Sequence, residues 1–102
     1  MAHYKILMTY KDSEDPDDII HENRTCETEE DYLGPFGFDW MCPLTEPSKV
    51  STLSKELEYI SGIIKSGEIL YQSPYIGALG RKDDAILKLN PEDKYIIYDI
   101  HL

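Results

Sequence analysis

The side chains best suited to metal binding or nucleophilic chemistry in this 102-residue chain are two cysteines, Cys26 and Cys42, and three histidines, His3, His21 and His101. A metal centre would draw on His21, Cys26, Asp39 and Cys42, which are the right ligand types. Yet fifteen residues separate the two cysteines, and no CxxC or HxxxH pair presents two ligands from one turn or helix face. The stretch "DSEDPDD" lacks the sharp-turn glycine and the distant glutamate of a calcium loop. The pattern therefore predicts no metal site and no cofactor.

A thiol–imidazole pair, such as Cys42 with His101, would have to be assembled by the fold. His3 and His101 fall on the first and last candidate strands, where they can be neighbours in one sheet as surface histidines. Gly77-Ala78-Leu79-Gly80 followed by Arg81-Lys82 reads as a hairpin tip, not a phosphate-binding loop. Carboxylates are too abundant for any one pair to point to acid–base catalysis. No catalytic residue is assigned, and a small enzyme or metal-binding protein ranks third among the readings.

The most distinctive stretch is "CETEEDYLGPFGFDWMCP", which places Glu27, Glu29, Glu30 and Asp31 just ahead of Tyr32, Phe36, Phe38 and Trp40. It belongs to a wider acidic segment: residues 12–46 hold twelve acids and one base, a net of −11, whereas the remaining 67 residues carry eight acids and nine bases, a net of +1. Such charge repels phosphate and disfavours nucleic acid as a direct ligand. It attracts cationic surfaces instead. In an extended chain, alternate carboxylates stand about 7 Å apart and can imitate nucleic-acid phosphates. Aromatic side chains supply the anchoring that exposed ion pairs, at ~0–1 kcal/mol each, do not. Glu27, Glu29, Glu30, Asp31, Tyr32, Phe36 and Trp40 are thus the expected partner-binding residues.

The elements that must position these groups follow from periodicity. "HYKILMTYK" alternates Tyr4, Ile6, Met8 and Tyr10 against His3, Lys5, Thr9 and Lys11, predicting a strand with one buried face. Residues 12–46 read as irregular, with one helical turn in "DDIIHENR" capped by Asp17 or Asp18. Val50, Leu53, Leu57, Ile60 and Ile64 recur at three- and four-residue intervals, predicting a principal helix over 48–66 with Gly67 as its C-cap. "EILYQSPYIG", "AILKLN" and "KYIIYDIHL" read as three further strands. The expected fold is α+β: a single domain over 1–102 with a small antiparallel sheet of about four strands and one helix on one face. In "YIIYDI" both sides are apolar. The face left bare by a single helix then needs the loop aromatics or a second chain, and this favours a homodimer.

Composition limits the function classes. At 41% hydrophobic residues the chain can build a core, and two cysteines do not make a disulfide scaffold. No apolar run spans a bilayer and "MAHYKILMTYKD" does not read as a signal peptide, so an intracellular, cytoplasmic protein without membrane contact is expected. The opening strand and Gly34-Pro35-Phe36 are similar to small ferredoxin-like domains with a DGPF motif. Leu33 stands where that motif has its aspartate, and an acidic loop stands where those domains place a helix, so no residue role is carried over. In size, acidity and lack of motif the chain looks like the small inhibitors encoded by phages and mobile elements, such as anti-restriction and anti-CRISPR proteins. That likeness is compositional. It implies a protein that binds and inhibits a basic, nucleic-acid-handling protein, with DNA mimicry as one means. The second reading is an assembly subunit that self-associates through its last strand.

Overall fold

The computed structural model describes residues 3–23, 40–53, 58–75 and 78–101. Its elements run β1 (His3–Tyr10), α1 (Pro16–Asn23), β2 (Trp40–Pro43), β3 (Ser48–Lys49), a 3-10 turn (Val50–Thr52), β4 (Ile60–Lys65), β5 (Glu68–Gln72), α2 (Lys82–Leu87) and β6 (Lys94–His101). The fold is mixed α+β, with one six-stranded sheet in the order β2-β6-β1-β4-β5 and with β3 also paired to β6. Among the described residues there are two short helices.

The sheet is neither four-stranded nor purely antiparallel. β1 pairs antiparallel with β6 over its whole length, from His3↔His101 to Tyr10↔Lys94, and parallel with β4 through Ile6↔Gly62, Leu7↔Ile63 and Met8↔Ile64. A strand in that position is covered on both faces, and Ile6, Leu7, Met8 and Thr9 are all buried. Thr9, expected to point outward, is therefore inside, where its hydroxyl donates to the Ile64 carbonyl at 3.4 Å.

The expected helix over 48–66 does not form. Its ends are β3 and β4, and Leu57 lies outside the described residues. Ile60 and Ile64 do fit a helical stripe, but so placed they leave Ile63 unaccounted for. In β4, Ile63 and Ile64 face opposite sides of the sheet and both are fully buried. β-branched side chains around Gly62 favour the strand. Ser66 (φ 49°) and Gly67 (φ 90°) supply the two positive φ angles of a two-residue hairpin turn, so Gly67 closes β4 onto β5 and caps no helix.

Two further expectations change. "AILKLN" contributes to α2, not to a strand, with Asp83 and Asp84 in the first turn, where the helix dipole favours them. The acidic segment is not wholly irregular. α1 begins at Pro16, the first-turn position proline tolerates, and the Asp15 carboxylate accepts the Asp17 N–H at 2.9 Å as its cap. An eight-residue helix therefore follows β1, where the sequence predicts a single helical turn within an irregular segment.

The helices sit over opposite faces. Ile19 of α1 joins Ile6, Met8, Tyr10, Ile64, Ile96, Tyr98 and Ile100, while Ala85 of α2 joins Leu7, Val50, Ile60, Ile63, Tyr95 and Ile97. Both faces of β6 are thus buried within one chain, which removes the bare face that motivated a homodimer. No helix among the described residues is long and apolar enough to cross a membrane.

The sheet's outer edges are closed by loops. On β6, Leu44 N–H donates to the Ile97 carbonyl at 2.8 Å, the Thr45 hydroxyl accepts the Ile97 N–H at 3.1 Å, and Val50 N–H donates to Asp93. On β5, Gln72 and Leu79 exchange backbone hydrogen bonds. Gly80 follows at φ 62°, so close that a Cβ there would stand 2.5 Å from the Leu70 carbonyl oxygen. Around Gly67 a Cβ would meet nothing within 4 Å. We expect Gly67→Ala to cost about 1 kcal/mol of backbone strain and Gly80→Ala about 2–4 kcal/mol, because strain and backbone overlap add. Urea denaturation of the two variants checks the difference; equal losses would mean the turn over β5 is not packed as described.

Candidate functional site

Residues 12–18 carry five carboxylates, Asp12, Glu14, Asp15, Asp17 and Asp18, on the approach to α1 and in its first turn. Local hydrogen bonding fixes them at the surface. Asp12 pairs with Lys94 at 3.0 Å. Glu14 accepts the Lys11 N–H at 2.9 Å and the Ser66 hydroxyl at 2.8 Å, tying the acidic loop to the β4–β5 turn. These two donors hold the Glu14 carboxyl below its ordinary pKa. The acidic field reaches the sheet beneath. Tyr98 is pushed up to about 12, first by burial and then by the charges of Asp17 and, further down, Asp15. Tyr10 is raised by burial, with Lys94 opposing and Asp12 and Asp17 adding.

Glu27, Glu29, Glu30, Asp31, Tyr32 and Phe36 lie outside the described residues. Trp40 opens β2, where the register sets it opposite His101.

A second constellation forms on the α2 side of the sheet, at the end where the chain begins and β6 finishes. Cross-strand pairing lines up Cys42, Asp99 and Lys5 in one row and Trp40, His101 and His3 in the next. The expected neighbourhood of His3 and His101 is thus present in the backbone register. His3 Nδ1 lies 3.2 Å from Asp99 Oδ1, with the two side chains 55% and 25% exposed. The Lys5 ammonium lies 5.8 Å from the centre of the Tyr59 ring. Cys42 is a half-buried free thiol directed at the Pro43 carbonyl at 3.6 Å. Of the expected Cys42–His101 pair, the His101 side chain lies outside what is described. Asp99 was absent from the sequence candidates. The alternation of "YIIYDIHL" puts it on the face of Ile97, but only the strand register brings it to His3.

A groove of about 210 Å³ lies between the 3-10 turn and α2, lined by Val50, Ser51, Leu53, Ile86, Leu89 and Pro91. It is smaller than the ~300–1,000 Å³ of ordinary ligand pockets and is lined by no titratable group. Near it, Asp93 is buried and its Oδ2 has no hydrogen-bond partner among the described residues. Among the described residues, no three potential metal ligands stand together as a metal centre. The chain matches no protein-family model, no curated protein and no solved structure.

The two pKa displacements define opposite pH limits. Glu14 is depressed in the folded state, so its contribution is present above the ordinary value of 4.5 and is lost as pH falls through the folded value. Glu14→Gln should flatten the acid limb of the stability–pH curve below about pH 5. Tyr98 is raised from 10.0 to about 12, so folding resists its ionisation and stability falls as pH climbs between these values. Tyr98→Phe should soften that alkaline loss. Chemical denaturation across pH checks both, and limbs unchanged in the variants would contradict the assignments.

Proposed function

We propose that the protein is a binding module that captures a basic partner protein, of the nucleic-acid-handling kind, through the acidic segment 12–46, and inhibits it by occupying the surface that would meet phosphates. One observation carries this reading: a net charge of −11 confined to one third of a chain whose remainder is nearly neutral. The described part of that segment supports it, since Asp12 to Asp18 lie before and in the first turn of a capped helix, and Lys94 is the one cation among the described residues within ion-pair distance of them. A field of this kind steers an oppositely charged surface and raises the association rate.

Glu27, Glu29, Glu30 and Asp31 extend the carboxylate series, and Tyr32, Phe36 and Trp40 are the anchors we assign to the short-range contact. Charge then governs encounter and its salt sensitivity, whereas the aromatic anchors govern residence time. The same crowding of like charge opposes the compact state of the free protein, and salt screens both effects. Added salt should therefore stabilise the free protein while it weakens the complex.

The test begins with retention of partners from native-host lysate at low and high salt, followed by rate measurements on the partner obtained. Replacing Glu27, Glu29, Glu30 and Asp31 by their amides should slow association by roughly tenfold at low salt and flatten its ionic-strength dependence. Trp40→Ala, shown to be folded by circular dichroism, should accelerate dissociation instead. Superimposable rate-versus-salt curves for wild type and the amide variant would reduce the acidic segment to a solubility device.

A further inference from the structure

One cation of this chain already sits on the acidic surface, and its setting in the fold gives it a role there. We propose that Lys94 is an autoinhibitory counter-ion, which holds Asp12 in the free protein and must be displaced by the basic partner. This inference rests on the binding reading above and concerns its regulation. Lys94 Nζ lies 3.0 Å from Asp12 Oδ1, with the two side chains 43% and 74% exposed. An exposed pair of this kind is weak, so an incoming cation can exchange with it. The hydrogen bond from Lys94 to Asp12 holds the ammonium above its ordinary pKa of 10.5, so the competitor stays charged wherever the carboxylates are.

Backbone pairing keeps the ammonium at this place. Lys94 opens β6 opposite Tyr10 of β1 and Lys49 of β3. Lys49 turns to Glu92, at 3.9 Å, and leaves Asp12 to Lys94. The charges meet at one point of the sheet: burial raises the Tyr10 phenol, Lys94 opposes this, and Asp12 and Asp17 add to it. Release of Lys94 would not free the loop. Glu14 still accepts the Lys11 N–H and the Ser66 hydroxyl, and Asp15 still caps α1. One cation can therefore replace another on a fixed scaffold. A tethered ammonium acts at high effective concentration, so salt cations and single basic groups compete poorly with it. A partner that brings several cations at once meets the neighbouring carboxylates together and takes Asp12 as one of them. Lys94 thus sets how densely basic a partner must be.

Binding of a fluorescein-labelled hexa-arginine peptide to the full-length chain is followed by anisotropy at about 0.1 M salt, where charges on the far face are screened. Lys94→Met should tighten binding about two- to fivefold, and Lys94→Gln should repeat the effect. Lys82→Met, on α2 over the opposite face, should leave it unchanged. All three variants lose one positive charge, so net charge alone predicts no difference among them. Asp12→Asn should weaken binding more in the Lys94→Met background than in wild type, because only there does Asp12 lack its internal partner. An equal cost of Asp12→Asn in both backgrounds, or equal affinities of Lys94→Met and Lys82→Met, overturns the competitor role and leaves the binding reading standing. Absence of salt-sensitive binding to wild type and Lys94→Met alike overturns both. Circular dichroism of each variant accompanies the titrations.

Discussion

The organisation of the molecule depends on one strand that is hydrogen-bonded along both edges and buried on both faces. β1 pairs with β6 on one side and β4 on the other, and its second half, Ile6 to Tyr10, is buried. Burying such side chains contributes ~1.5–3 kcal/mol each, but only when apolar partners arrive from both faces. That demand places the rest of the chain. β4 and β6 must themselves be apolar on both faces, as Ile63 with Ile64 and Ile96 with Ile97 are. Cover must then come to each face, through Ile19 on one and Ala85 with Val50 on the other.

Once β1 is central, the edges become the problem, because unpaired strand backbone must find partners or face solvent. The chain closes β6 with short pieces, β2 and β3, and with the Thr45 hydroxyl standing in for a backbone acceptor between them. It closes β5 with the turn around Leu79 and Gly80, which comes close enough that no side chain fits at Gly80. Both devices use residues whose role is visible only against the edge they cover.

This contrast explains what is legible in the sequence. β1 is readable from the alternation of Tyr4, Ile6, Met8 and Tyr10, β6 from its run of isoleucine and tyrosine, and the approximate site of α1 from its aspartates. β4 is misread because a strand buried on both faces has no alternation, so Ile60 and Ile64 mimic a helical stripe across its short length. "AILKLN" reads as a strand because the six residues of α2, "KDDAIL", are too few for helical periodicity to emerge. At the candidate sites the same division holds. The carboxylates of residues 12–18 are predictable at the surface, since no apolar side chain but Pro16 falls between them. The His3–Asp99 contact joins residues 96 positions apart, and it follows from pairing register, which no local pattern encodes.

Steering by charge acts over a Debye length of ~8–10 Å and tolerates displacement of individual carboxylates. It suits a segment that leaves the sheet after β1 and rejoins it at β2. The return is set by backbone pairing, from Trp40↔His101 to Pro43↔Tyr98. A one-residue slip of so short a strand would reverse which of its side chains face the core, so the register of β6 decides how the acidic segment is joined to the rest of the molecule.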